Sequence, residues 1–273
     1  MEQCENVILN TDVKQKDSNR AIVIAVSSHA VFDLQEDNTE GDKGKENLPL
    51  KQGPALPFIK AAQMVNEKLL EKNPEETLLF DVIIVSNNRP ESHPQIINGA
   101  KHYGLDISRF CFFNDEDYSE KLQSTNVKLY LSTDQRDVGK VLEKGIPAAL
   151  LFKQDVQAAT DQLRVLFIGD ALVSSEDSES TAKAPVKELA MLIGEMRKKF
   201  GRDHSPLCAY LLTVCSNKDV SCRAMKTLRD WGLEIDEAFF LFGGPKRIIL
   251  GHIQPHILYC QGLLNPKECG WAF

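Results

Sequence analysis

The sequence predicts an α/β protein of two tandem, related parallel-sheet units packed together. Three observations lead there. Short apolar runs ending in small polar residues alternate with helically spaced segments along nearly the whole chain, the pattern of parallel strands covered by helices. The second half repeats the first at 128 residues, the distance from Gly104-Leu105-Asp106-Ile107 to Gly232-Leu233-Glu234-Ile235. At that offset Val85 meets Thr213, Asn88 meets Ser216, Tyr103 meets Trp231 and Phe112 meets Phe240. Finally, the run Val165–Ile168 empties into Gly169-Asp170, which brings a carboxylate to the carboxyl end of a strand, where open α/β sheets hold ligands. So long a period is that of duplicated units and not of a solenoid, and a pocket is expected between them.

The chain's 273 residues suffice for one large or two ordinary domains. Hydrophobic content of 42% and charged content of 26% match a globular protein in water. A net charge of −7 argues against a nucleic-acid partner held by a broad basic surface, but not against a small anionic ligand. No apolar run approaches the ~20 residues that cross a bilayer, so no membrane partner is expected. Residues 1–20 are polar and lack the regions of a signal peptide. Seven scattered cysteines suit a reducing compartment, so the expected location is the cytoplasm.

In chain order, residues 1–20 carry no periodicity and are expected to be disordered. The first unit, 21–152, opens with a buried strand, Ala21–Val26 (AIVIAV), followed by a charged surface loop, Gln35–Gln52. Phe58, Ile59, Ala61, Ala62, Val65 and Leu69 are spaced for one face of a helix that ends before Pro74. Then follow a strand at Leu79–Val85, a helix at Pro94–Tyr103, strands at Phe110–Phe113 and Lys128–Leu131, a helix at Gln135–Glu143 and a strand at Ile146–Phe152. Residues 153–162 read as a polar connector. The second unit, 163–260, repeats the grammar. Its strands are at 163–168, Ala209–Thr213, Ala238–Leu241 and His256–Tyr259, and its helices at Val186–Phe200, Val220–Trp231 and Arg247–His252. Residues 261–273 form an atypical tail.

Four strand ends of the second unit carry the candidate chemistry: Asp170, Thr213 with Ser216, Gly243-Gly244-Pro245-Lys246, and Tyr259-Cys260-Gln261. A hydroxyl and a lysine at successive strand ends suit phosphate oxygens, one by hydrogen bonding and one as a point charge. Singly, each has a plainer reading: Asp170 as a turn cap, Thr213 as a packed β-branched residue, Lys246 as a solvated cation. Taken together and in this order they favour a phosphate site. Other motifs fail. There is no GxGxxG, and Gly243-Gly244-Pro245-Lys246 lacks P-loop spacing. Cys215 as a phosphatase thiol wants an arginine where Ser221 stands, with Arg223 out of register. No cysteine pair has zinc spacing, and Pro255 breaks the helix that would bring His252 and His256 to one metal.

The order of strand ends is similar to that of haloacid-dehalogenase-type phosphatases, and the detailed wording resembles the cytosolic 5′-nucleotidases of type I. Stretches that carry the likeness include AIVIAVSSHAVFD (21–33), PLKQGPALPFIKA (49–61), FDVIIVSNN (80–88), HYGLDISRFC (102–111), LYLSTD (129–134) and GIPAALLF (145–152). In the second half they are KTLRDWGLEIDEAFFLFGGPK (226–246) and IQPHI (253–257). The resemblance implies two Rossmann-like, haloacid-dehalogenase-like units. It also implies hydrolysis of nucleoside 5′-monophosphates, AMP above all, with Mg2+, by a carboxylate that attacks phosphorus and a second that acts as acid and base.

Carried over residue by residue, the resemblance makes Asp170 the acid/base and a metal ligand, and makes Thr213 and Lys246 the phosphate-holding pair. At the nucleophile's position stands Ile168, and where the family has adjacent metal-binding aspartates stand Cys260 and Gln261. The stretch between Glu179 and Ala184 is short for the family's cap, and GLLNPKECGWAF resembles nothing in the family pattern, which suggests a truncated or alternative product. Two readings follow. One is a nucleotidase whose turnover is lost or weak. The other is a non-catalytic nucleotide-binding or regulatory relative that acts in a homo- or hetero-oligomer with a family member.

Overall fold

The first sheet is built around two apolar strands whose side chains are buried on both faces. The computed structural model describes residues 6–34, 50–87, 90–113, 118–151, 161–173, 183–201, 205–214 and 218–259. In chain order the first half gives β1 (Asn6–Leu9), β2 (Ile22–Ser27), α1 (Ser28–Val31), β3 (Phe32–Asp33), β4 (Lys51–Gln52), α2 (Leu56–Lys72) and β5 (Phe80–Ser86). It continues with α3 (His93–His102), β6 (Ile107–Phe112), α4 (Ser119–Ser124), β7 (Leu129–Ser132), α5 (Gln135–Glu143) and β8 (Ala148–Leu150). The second half gives β9 (Leu163–Ile168), α6 (Gly169–Val173), α7 (Lys183–Lys198), β10 (Leu207–Thr213), α8 (Lys218–Asp230), β11 (Glu237–Phe240), α9 (Lys246–Ile253) and β12 (Ile257–Tyr259). The chain is therefore mixed α/β with mainly parallel sheets.

Six strands form the first sheet in the order β1-β6-β5-β2-β7-β8, parallel except for β1. Four parallel strands form the second, ordered β11-β10-β9-β12. Local chemistry accounts for the helix limits. Pro57 sits in the first turn of α2 and Asn73 closes it before Pro74. Asp134 caps α5 by accepting the Arg136 N–H at 2.7 Å. Both α3 and α8 end in a left-handed glycine, Gly104 (φ 58°) and Gly232 (φ 81°), a conformation that a side chain would strain.

Those two helix ends match bond for bond at the 128-residue offset. Leu105 N–H donates to Ala100 O, as Leu233 N–H does to Leu228 O, at 2.9 Å in each. Gly104 N–H reaches Lys101 O at 3.0 Å and Gly232 N–H reaches Arg229 O at 2.8 Å. The order β6-β5-β2-β7 also runs as β11-β10-β9-β12 does.

One apolar core serves both sheets: Ile22, Val26, Ile59 and Val65 of the first half join Val165, Phe167, Ile193 and Leu211 of the second. Polar links cross the same junction. Arg20 pairs with Glu195 at 2.7 Å, Lys199 with Glu76 at 2.9 Å and Lys128 with Glu188 at 2.6 Å, while Lys72 Nζ donates to Phe200 O at 3.0 Å. On the outer face of the first sheet, Val23, Ala25 and Val85 pack with Leu122, Val138 and Val141 of α4 and α5. The outer face of the second carries a smaller cluster, Leu166, Ile168 and Leu212 under Leu250 and Ile253 of α9.

The expectation that residues 1–20 are disordered is corrected for 6–20, while residues 1–5 lie outside the described residues. Residues 6–9 are an edge strand paired antiparallel to β6, and the next segment is pinned by side chains. Asn10 Nδ2 donates to Ile107 O at 2.9 Å, Gln15 Nε2 to Ser108 O at 3.1 Å, and Lys16 pairs with Asp106 at 2.8 Å. The strand escapes pattern reading because Val7, Ile8 and Leu9 are all exposed, so they show no alternation. The expected strand at Phe110–Phe113 begins at Ile107, and that at Ile146–Phe152 is confined to Ala148–Leu150. Residues 35–49 of the expected surface loop, Phe152 of the expected strand, 153–160 of the connector and the whole tail 261–273 lie outside the described residues.

Candidate active site

At the carboxyl end of the second sheet, three strand ends meet through the backbone of Thr213 and Val214. β9 delivers Ile168, and α6 starts at the next residue, so Asp170 lies in the first turn of a short helix and not in an open loop. Its Oδ2 accepts the Val214 N–H at 2.7 Å, just past the end of β10. The Val214 carbonyl in turn accepts the Gly243 N–H at 2.9 Å, and Leu241 N–H donates to Thr213 O at 2.9 Å. The turn before Lys246 is thereby bound to the strand beside Asp170. Gly243 takes φ 86°, and Pro245 leads directly into α9, whose first residue is Lys246.

Gly169 permits this closeness. A Cβ there would stand 2.4 Å from Thr213 Cγ2 and 2.9 Å from Ala224 Cβ, inside any tolerable contact. Thr213 is fully buried, and its Oγ1 shares a hydrogen bond with Ser221 Oγ at 2.7 Å. The half-buried Lys246 makes no hydrogen bond or ion pair with the described residues, which leaves its ammonium available to an anion.

The side chain at the resemblance's nucleophile position, Ile168, is 8% exposed and packs with Leu166, Leu212, Leu250 and Ile253. It offers no lone pair. Cys260, Gln261, Ser216 and Cys215 lie outside the described residues. Magnesium prefers about six oxygen ligands with carboxylates among them. Among the described residues no group of three or more His, Cys, Asp and Glu side chains suits a metal ion, and one oxygen of Asp170 is already engaged by Val214. The described donors do not fit that ion.

Asp170, Thr213 and the turn bearing Lys246 are thus brought together by the fold. Two participants carry weaker sequence signals. Ser221 sits one turn before Ala224 and two before Leu228 on the buried stripe of α8, a polar residue at an apolar spacing. The Val214 peptide acts through backbone atoms that every residue possesses, so no motif announces it.

A family model described as 5′-nucleotidase matches residues 14–185 and 180–262. Cytosolic 5′-nucleotidase 1B of Homo sapiens is 35% identical over 277 residues, covering 88% of this chain and 45% of that protein. The chain therefore spans less than half the length of that relative. With the family model matching nearly the whole chain, the protein belongs to the cytosolic 5′-nucleotidase family.

Proposed function

We propose that this chain binds nucleoside 5′-monophosphates, AMP foremost, at the carboxyl end of the second sheet, and turns them over weakly or not at all. The observation that carries this reading is the combination of a Lys246 that makes no ion pair among the described residues with a packed Ile168 at the strand end before Asp170. Lys246 supplies a point charge to the phosphate, and the Gly243–Gly244 turn before it is held by its own bonds to Val214 O and Leu241 O. Asp170, held by Val214 N–H, serves as an acid/base or hydrogen-bonding group in this reading. Thr213 serves through its bond to Ser221, which fixes the β10 end. Isoleucine cannot form a phospho-enzyme bond, so no covalent step is assigned to it. Mg2+ is the ion expected from the resemblance, and no step is routed through it.

The matched helix ends and shared strand order support reading the halves as two haloacid-dehalogenase-like units, 21–152 and 163–260. A cytosolic setting and a homo- or hetero-oligomer complete the proposal. The second reading, a purely regulatory or binding subunit, is favoured by the same Ile168: with one carboxylate fewer, the pocket repels an anion less.

The experiment is a phosphate-release assay with AMP and Mg2+ on the purified chain, run beside an AMP thermal-shift titration. The expected result is little or no release with a rise in Tm that Lys246→Ala reduces. Release at the rate of an intact family enzyme overturns the loss of turnover, and an unmoved Tm overturns binding.

A further inference from the structure

At the other end of the second sheet, about 20 Å from Asp170 along β9 at ~3.3 Å per residue, three neighbouring strands present Cys208, Arg164 and His256 in a row. Cys208 is registered with Arg164, and His256 precedes Ile257, the partner of Val165. Two bonds join the last two. His256 N–H donates to Arg164 O at 2.9 Å, and Arg164 N–H donates to His256 Nδ1 at 3.1 Å. The second fixes the imidazole tautomer: with Nδ1 accepting, the proton of the neutral ring lies on Nε2.

That Nε2, together with Nε and Nη2 of Arg164, is buried without a hydrogen-bond partner among the described residues. Three donor nitrogens and a permanent charge therefore share this end of the sheet with no oxygen among the described residues to receive them. Asp236, Cys208 and Tyr210 do not serve. Asp236 is held by both Arg197 prongs at 2.6 and 2.7 Å and by Ala209 N–H at 2.7 Å. Burial keeps the Cys208 thiol protonated and pushes Tyr210 up to about 12, so neither offers an anion. Nor does the architecture demand an arginine here. In the first sheet the same backbone bond, Lys128 N–H to Val23 O at 2.8 Å, joins a lysine to a buried valine.

We infer that Arg164 and His256 form a second anion site, for a tetrahedral oxyanion of the phosphate class. The Arg164 fork supplies two donors and the imidazole a third. Three donors match an anion with three or more oxygens better than a carboxylate with two. The site stands apart from the Asp170 end of the sheet and does not rest on the function proposed there.

The test uses the full chain with isotope-labelled histidine, observed by NMR near neutral pH. Inorganic phosphate, AMP and acetate are titrated separately. The expected result is a saturable shift of the His256 ring signals with phosphate or AMP, undiminished in Lys246→Ala and lost in Arg164→Met. Inorganic phosphate against AMP distinguishes a free anion from one carried on a nucleoside. No shift, an equal shift with acetate, or a shift that never saturates (an adventitious ion only) overturns the proposal. Should Arg164→Met fail to fold, Arg164→Lys keeps the charge without the fork and is expected to weaken phosphate about tenfold.

Discussion

Ile168 does two things at once: it fills the apolar cluster under α9, and it leaves the strand end without an attacking oxygen. Ile168→Asp therefore exchanges packing for an unpartnered buried carboxylate. The expected outcome is a loss of about 2–4 kcal/mol in denaturant unfolding, with no AMP hydrolysis gained in a phosphate-release assay. His256 offers a second test at this scale. Burial, and then the Arg164 charge, lower its pKa from 6.5 to about 4. The unfolded chain therefore takes up a proton in that interval which the folded chain refuses. Stability is expected to be flat above about pH 6.5 and to fall between pH 6.5 and 4, by about 3 kcal/mol at the acid end. His256→Asn should flatten that stretch of the curve, as read from urea midpoints at several pH values.

Asn66 shows how one side chain fixes an element. From α2, its Oδ1 accepts the Phe80 N–H and its Nδ2 donates to the Phe80 carbonyl, each at 2.8 Å, so the helix is stapled to the start of β5. Asn66→Ala strands both buried backbone groups. A cost of about 2–4 kcal/mol is expected in thermal or urea unfolding, while an exposed change such as Glu71→Ala should cost under about 0.5 kcal/mol. Elements of this length were legible in the sequence because their apolar spacing reflects what they bury. The short pieces were not. β1 turns its apolar residues to solvent, and α6 begins on a glycine and an aspartate that read equally well as a turn. At the site, side chains of distinctive chemistry stood out, whereas the Val214 peptide and the Arg164–His256 pair are defined by register across strands.

The molecule's two sheets share a core and are laced by ion pairs from Arg20, Lys128 and Lys199. Neither sheet can open without exposing apolar surface of the other. Heating the chain is expected to give one transition, with circular dichroism and tryptophan fluorescence superimposing; Trp231, in the second half, reports on that half. Two separated transitions would show instead that each sheet holds its own core. The individual surface pairs contribute little by themselves, so Arg20→Ala should move the midpoint by no more than about 1–2 °C.

The peptide plane between Thr213 and Val214 is gripped from both sides, by the Asp170 carboxylate at its nitrogen and by the Leu241 N–H at its oxygen. Tilting that plane by a few degrees pulls on both partners together. Were an anion to draw the Lys246 turn toward itself, the expected result at Asp170 is a stretched or tightened bond, a mechanical message passed along the backbone with no side chain needed as courier.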